Sequence, residues 1–250
     1  MSSILLEIRN EIVVIYLNEP KSLNALSQRL KEELLKALDE TEKMQEVKVI
    51  LITAKGRSFC AGGDIKAMAA PYDPMEIKRN MDLSAKIVQK IREVPKIVIC
   101  MLHGYVAGAG ISLALAADLI LAEEETKLVL SFKNVGLIPD LGLHFYLPSI
   151  VGEWKAKEWM WSGKTITVEE AAQFGMVNQK VPKGELIQEG FAVAEELAKG
   201  PIDSFITSKE IMNSNSIDNL KKTMARENAM QAIMRGTVQH TQALEAFVSK

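Results

Sequence analysis

The sequence has few cysteines and no strong excess of one charge. Its two cysteines, Cys60 and Cys100, lack the CxxC spacing of zinc sites and redox pairs. Neither a zinc site nor a disulfide framework is predicted, and a reducing compartment is expected. The 30 basic and 32 acidic residues give a net charge of −2, which argues against nucleic acid as a partner.

Long apolar runs are also missing. No segment reaches the roughly 20 apolar residues of a membrane-spanning helix, since the longest, residues 107–121, is interrupted by Asp118. The first residues contain no basic segment and Glu7 interrupts their apolar run, so no secretory signal is expected. We therefore predict a cytoplasmic protein with no membrane partner.

The chain does contain alternating apolar strands and amphipathic helices. ILLEIRN and EIVVIYLNEP predict a hairpin, and apolar runs at residues 47–54 and 96–104 predict strands buried on both faces. Helices are predicted over residues 26–44, with Ser27 as the N-cap, and over residues 73–94. This alternation predicts a parallel sheet with right-handed crossovers.

After Pro139 the pattern becomes mainly helical. Short Gly, Pro and Asn breaks separate the predicted helical segments, which are residues 141–150, 153–162, 168–174, 184–199, 201–213 and 216–248. We predict an α/β core over residues 1–199 and a helical C-terminal region over residues 200–250 that does not fold on its own.

Two loops rich in small residues follow neighbouring apolar strands. They read FCAGGDIK (59–66) and HGYVAGAGISLALAAD (103–118). The N–H groups at a helix start suit an anionic oxygen, and glycine lets a ligand approach the backbone. Two such loops could form an oxyanion hole, although each alone is more typical of a tight strand-to-helix turn. Neither GxGxxG nor the GxxxxGK[ST] phosphate loop is present, so no nucleotide site is predicted.

Together and in this order, the two loops resemble those of the enoyl-CoA hydratase/isomerase (crotonase) family. LNEPKSLNAL (17–26) resembles its acyl-CoA contact segment, and GLIPDLG and TVEEAAQFGMVNQKV (167–181) continue the similarity, which extends over about residues 5–215. The resemblance implies a crotonase (ClpP-like) α/β fold, in which repeated ββα units form a spiral core followed by a helical C-terminal region.

The resemblance also implies a CoA thioester substrate and an oligomer. Coenzyme A would be part of the substrate, so neither a separate cofactor nor a metal is expected. The family assembles through its helical region, which implies a homotrimer or a dimer of trimers. Trp154, Trp159 and Trp161, with Met160, would form an apolar helix surface that serves either as core or as a subunit contact.

Carried over by position, the two oxyanion donors of the family are the backbone N–H groups of Gly63 and Ala109. Asp64, which follows Gly63, is expected to cap the next helix as well as to contact substrate. All the substrate and CoA contacts that the resemblance implies are Lys21, Leu23, Ala25, Ala61, Asp64, Ile65, Lys66, Gly110, Phe132 and Leu137.

The two glutamates that hydratases of this family use to activate water are absent. Their positions hold Ser112 and Phe132, and neither side chain can act as a carboxylate base. Hydration by the two-glutamate route is therefore not expected. The isomerase branch instead uses one acid in patterns like GLIPDxG, a place that Asp140 occupies. The arrangement resembles 1,2-epoxyphenylacetyl-CoA and Δ3,Δ2-enoyl-CoA isomerases.

The surroundings of Asp140 predict a strengthened base. An exposed aspartate has a pKa of about 3.9 and is a feeble base at neutral pH. Set among Phe132, Leu137, Ile138 and Leu141, the carboxylate would lose solvation, which raises its pKa. A second interpretation stays open, because Pro-Asp-x-Gly also suits a helix cap.

Other functions also stay open. A hydratase-type lyase would need a non-standard acid or base, for which His144 is a candidate, although a lone histidine is more often a structural hydrogen-bonder. A serine hydrolase would use Ser112 with His144 or His240, but Ser112 is expected inside a helix and not at a strand-to-helix turn. The remaining alternative is a non-catalytic acyl-CoA-binding protein. Cys60 is predicted to be a buried hydrophobe and not a nucleophile.

Overall fold

A computed structural model describes residues 2–249 and contains two β-sheets surrounded by helices. Within that range the larger sheet has six strands, in the order β1-β2-β3-β4-β6-β9, and the smaller has three, in the order β5-β7-β8. The strands are β1 Ile4–Arg9, β2 Ile12–Leu17, β3 Val49–Ala54, β4 Ile97–Leu102, β5 Tyr105–Ala107, β6 Leu119–Glu123, β7 Lys127–Val129, β8 Thr165–Thr167 and β9 Gln179–Val181.

The larger sheet is parallel apart from its first hairpin. Strands β1 and β2 are antiparallel, whereas each later strand pairs in parallel with the strand before it in the sheet. Strands β2, β3 and β4 are buried along their whole length, because their sequences are apolar almost throughout. The predicted hairpin and the predicted parallel strands are confirmed.

The sequence did not predict the smaller sheet. Each of its strands has three residues, too few for an alternating pattern to repeat, and Lys127, Thr165 and Thr167 in two of them are exposed. This sheet still matters for the site, because β5 carries the second small-residue loop directly into a helix.

The helices follow the predicted segments closely. The last predicted segment, residues 216–248, forms two helices, because Gly236 interrupts it and Thr237 caps the second through the His240 N–H (3.2 Å). Across residues 2–249 no helix is both long and apolar enough to cross a membrane. The helices are α1 Gln28–Glu42, α2 Ile65–Met68, α3 Pro74–Glu93, α4 Ala109–Leu115, α5 Leu143–Val151, α6 Glu153–Ser162, α7 Val168–Gln173, α8 Leu186–Lys199, α9 Ile202–Ser214, α10 Ile217–Met234 and α11 Val238–Val248.

Helices cover both faces of the larger sheet. Helices α1, α3 and α4 contribute to the apolar core on one face, and α8 contributes to the core on the other. The C-terminal helices pack back onto this body, with α9 on α3 and α10 on both α3 and α5. The α/β fold class is confirmed, and the division at residue 200 stays a prediction.

The tryptophans of α6 divide between core and surface. Trp159 is fully buried, whereas Trp154 is 84% exposed and Trp161 is 72% exposed. The core interpretation holds for Trp159 and Met160, and the two exposed rings stay candidates for a subunit contact.

A buried ion pair joins the C-terminal region to the sheet. Lys209 Nζ on α9 donates to Asp118 Oδ2 (2.8 Å) and to the carbonyl oxygens of Ile91 (3.2 Å) and Lys96 (2.8 Å). The Asp118 carboxylate also accepts from the Val98 N–H (2.8 Å) at the start of β4. Removing one partner of such a pair leaves the other charge buried and unpaired.

We expect Lys209→Met to lower the free energy of unfolding by about 3–5 kcal/mol, because Asp118 loses its counter-charge. Urea denaturation measures the change. The matched control is Lys199→Met, which removes a lysine whose side chain is 77% exposed and is expected to cost less than about 0.5 kcal/mol. Equal effects of the two substitutions would contradict this role for Lys209.

Candidate active site

A cavity of about 510 Å³ lies between the two small-residue loops and the helices α1 and α3. Its wall includes Gly63 and Asp64 from the first loop, Ala109 at the start of α4, and Asp140 in the turn before α5. The fold thus brings the two predicted amide donors and the predicted base to one cavity, although they are far apart in sequence.

Backbone contacts hold the two loops together. The Ala107 N–H donates to the Cys60 carbonyl (2.9 Å), and the Cys60 N–H donates to the Tyr105 carbonyl (3.3 Å). Gly62 has a φ of 89°, and a Cβ there would lie 2.6 Å from the Ala107 oxygen, so this position requires glycine. The same Cβ would lie 3.3 Å from the Ala109 nitrogen, which shows how closely the loops approach.

The Gly63 and Ala109 N–H groups donate to no protein acceptor among residues 2–249. Ala109 is the first residue of α4, and its N-cap Gly108 has no side chain to accept a hydrogen bond. Gly63 precedes Asp64, which caps α2 through the Lys66 N–H (3.0 Å). Two unpaired main-chain donors on one wall suit an anionic oxygen.

Asp140 is a buried carboxylate that is 8% exposed. Its Oδ2 accepts from Gln231 Nε2 (3.1 Å), whereas its Oδ1 is buried without a protein partner among residues 2–249. Burial first, and the Glu227 carboxylate second, raise the pKa of Asp140 to about 7, against the opposing effects of Gln231, His144 and Lys31. The direction is the one that the apolar surroundings predict.

Glu227 of α10 is buried and caps the helix that follows Asp140. Its carboxylate accepts from the backbone N–H groups of Gly142 (2.7 Å) and His144 (3.1 Å), and it contacts His144 Nδ1 at 2.7 Å. The interpretation of Asp140 as the side-chain cap of α5 is therefore wrong, because Glu227 takes that role. His144 fits the structural interpretation, since its ring is bound to Glu227 and does not line the cavity.

The other predicted substrate contacts do not line this cavity. Gly110 packs against the first loop, because a Cβ there would lie 2.7 Å from the Cys60 carbonyl oxygen. Three more of these residues are buried elsewhere, namely Ala25, Phe132 and Leu137. Their roles in binding stay predictions, as do those of Lys21, Leu23, Ala61, Ile65 and Lys66.

Asn24, which the sequence analysis did not single out, ties the N-terminal segment to the residues that connect β3 to the first loop. It is fully buried, and its Nδ2 donates to the Lys55 (3.0 Å) and Ser58 (2.9 Å) carbonyls. The Ala61 N–H donates to the Leu23 carbonyl (2.9 Å) beside it. Asn24 has a φ of 54°, a conformation that asparagine tolerates better than most residues.

Neither of the two alternative nucleophiles, Ser112 and Cys60, is suited to attack a substrate. Ser112 is fully buried within α4 and does not line the cavity. Burial raises the pKa of the Cys60 thiol to about 12, so it fits the buried hydrophobe that was predicted. Across residues 2–249, His, Cys, Asp and Glu form no group of three that could hold a metal ion, and the expectation of no metal stays a prediction.

Sequence reasoning missed three polar residues near Asp140, namely Lys31, Glu227 and Gln231. Each belongs to a helix with many polar residues, where a charged or amide side chain normally faces solvent. Tertiary packing buries them, Lys31 beside Asn80 of α3 and the other two beside the turn around Asp140. One signal was available, because Glu227 and Gln231 are four residues apart and share a helix face.

Comparison with known proteins shows the family to which the chain belongs. Residues 7–250 match the family model described as enoyl-CoA hydratase/isomerase. YhaR of Bacillus subtilis, named as an enoyl-CoA hydratase/isomerase, is 36% identical over 239 residues, which is 96% of this chain and 93% of YhaR. The 1,2-epoxyphenylacetyl-CoA isomerase of Escherichia coli is 29% identical over 255 residues, covering 100% of this chain and 97% of that protein.

A solved structure agrees in fold. The crystal structure of an enoyl-CoA hydratase from Bacillus halodurans superposes with a TM-score of 0.92 at 24% identity, covering 98% of this chain and 100% of that one. The chain therefore belongs to the enoyl-CoA hydratase/isomerase family, and the predicted crotonase fold is confirmed.

We expect Glu227→Gln to lower the pKa of Asp140 below about 7, because the substitution removes a nearby negative charge. Carbon-detected NMR of the aspartate carboxyl groups during a pH titration measures this value. Glu196→Gln removes an exposed carboxylate of α8 and serves as the control. An Asp140 pKa that stays the same or rises in Glu227→Gln would contradict this coupling.

Proposed function

We propose that this protein is an enoyl-CoA isomerase that moves a double bond with one carboxylate as the base. The observation that carries the proposal is the unpartnered Oδ1 of Asp140, a group with a raised pKa, on the same cavity wall as two unpaired amides. A carboxylate with a pKa of about 7 is well matched to proton transfer at neutral pH.

In the proposed reaction a 3-enoyl thioester binds with its carbonyl oxygen between the Gly63 and Ala109 N–H groups. Asp140 removes a proton from C2, and the resulting dienolate places its negative charge on that oxygen. The protonated Asp140 then returns the proton to C4, so the double bond moves from C3–C4 to C2–C3. The two amides lower the barrier because they bind the charged intermediate more strongly than the neutral thioester.

The residues that replace the two hydratase glutamates support isomerisation over hydration. Ser112 and Phe132 hold those positions, and both are buried away from the cavity wall. Neither can activate a water molecule as a carboxylate does. The similarity to the E. coli protein named as an isomerase favours the same choice.

On the family resemblance we also propose that the protein forms a homotrimer or a dimer of trimers and acts in the cytoplasm. The exposed rings of Trp154 and Trp161 on α6 support a subunit contact at that surface. Light scattering tests the assembly, and a monomer at micromolar concentration would count against it.

We expect Asp140→Asn to lower isomerase kcat by about 10²–10⁴-fold with a 3-enoyl-CoA, because the amide cannot accept the C2 proton. Binding of a saturated acyl-CoA, measured by calorimetry, should change little. Asp203→Asn, an exposed change on α9, is the control.

These measurements distinguish the proposed isomerase from the alternatives. Unchanged turnover in Asp140→Asn would remove Asp140 as the base. Acyl-CoA binding by the wild-type protein without any isomerase turnover would instead support the non-catalytic binder. Hydration of a 2-enoyl-CoA at a comparable rate would support the hydratase-type lyase.

The pH dependence follows from the pKa of Asp140. The base must be ionised, so kcat/KM should fall as pH drops through about 7 and should be level above it until another group titrates. Stopped-flow or steady-state rates between pH 5.5 and 8.5, about 1.5 pH units on each side, test this. An acid limb near pH 4, the range of an exposed aspartate, would contradict it.

A further inference from the structure

Lys31 of α1 is a buried cation on the wall of the same cavity. It is 6% exposed, against 8% for Asp140, and the other charged residues of that wall are more exposed. Lysine rarely tolerates such burial unless its charge is paired. The cavity therefore presents one buried base and one buried cation.

The groups that accept hydrogen bonds from Lys31 are neutral. Its Nζ donates to the side-chain Oδ1 of Asn80 and to the Asn80 backbone carbonyl (3.3 Å). Among residues 2–249 no carboxylate oxygen lies within 4.0 Å of this nitrogen, so Lys31 forms no ion pair there. An ammonium group has three N–H donors, and two neutral acceptors satisfy two of them without balancing the charge.

Burial with neutral partners does not by itself set Lys31 apart, since the Lys96 ammonium is also buried and donates to carbonyl oxygens; its place on the cavity wall does. Leucine or methionine at position 31 would pack in helix α1 without the cost of burying a charge. Asn80 fixes the ammonium group by two hydrogen bonds, as expected of a positioned binding group and not of a side chain that reaches solvent.

The chemistry points to an anionic ligand group. A buried ammonium binds a carboxylate more strongly than a neutral acceptor, since opposite charges attract strongly where water is excluded. Asp140 is not a full counter-ion for Lys31, because a carboxylate with a pKa of about 7 is partly neutral at pH 7.

We propose that Lys31 binds a carboxylate on the acyl chain, so that the preferred substrates are thioesters of CoA whose acyl group carries a second, free carboxylate. This proposal rests on the proposed function only in taking the cavity to be the acyl site. It assigns Lys31 to substrate selection and leaves proton transfer to Asp140.

The charge state of Lys31 agrees with this role. Burial lowers the pKa of Lys31 to about 8, against the opposing effects of Asp140, Glu32 and Asp64, so the group is still mostly protonated at pH 7. The remaining charged groups of the cavity wall, all more exposed, are Asp73, Glu76, Arg79 and Arg235.

The test compares the binding of saturated thioesters, which cannot isomerise, by calorimetry at pH 7. Each CoA thioester with a free carboxylate is paired with its neutral counterpart of the same chain length: succinyl with butyryl, glutaryl with valeryl, and adipyl with hexanoyl. We expect at least one carboxylated member to bind the wild-type protein about 10- to 100-fold more tightly than its partner.

Two variants remove the charge of Lys31 in different ways. Lys31→Met replaces it with an apolar group of similar length, and Lys31→Gln keeps a donor for Asn80. Both should abolish the preference for the carboxylated thioester while keeping affinity for the neutral one. The control is Lys36→Met, which removes a lysine of the same helix whose side chain is 75% exposed and should leave the preference intact.

Each outcome decides the matter. Absence of a preference for the carboxylated thioester at every chain length in the wild-type protein would by itself overturn the proposal. A preference that persists in both Lys31 variants would overturn it as well. If no thioester binds, charged or neutral, the proposal for Lys31 is rejected together with the acyl-CoA function itself. Isomerase turnover without the preference would leave the proposed function standing alone.

Discussion

The burial of one carboxylate is the constraint on which the proposed chemistry depends. Water would hold Asp140 near its ordinary pKa and make it a poor base, whereas the apolar turn around it raises the pKa to about 7. The same burial leaves Oδ1 without a protein partner among residues 2–249. Gln231, which donates to Oδ2, limits the rise and fixes the orientation of the group.

The C-terminal helices complete this site as well as packing on the sheet. Glu227 and Gln231 both come from α10, and they hold the turn and the carboxylate, respectively. The Lys209–Asp118 ion pair fixes the preceding helix to the sheet. A chain ended before α10 would therefore keep the two amides and lose the surroundings that make Asp140 a strong base.

Much of the fold and the centre of the site could be predicted from the sequence. Continuous apolar runs marked β3 and β4, Ser27 marked the start of α1, and the glycines around Gly63 and Ala109 marked the two loops. The smaller sheet escaped because three-residue strands carry no repeating pattern. Lys31 and Glu227 escaped because a charged residue in a polar helix becomes buried only through contacts between distant segments, which local sequence does not encode.

The most direct test of the central claim is a crystal structure with a saturated acyl-CoA bound. The account predicts the thioester oxygen at about 2.7–3.1 Å from both the Gly63 and Ala109 nitrogens. It also predicts Asp140 Oδ1 facing C2 and C4 of the acyl chain, with no bulk water around the carboxylate. A carboxylate turned toward solvent, or a thioester oxygen remote from either amide, would contradict the account.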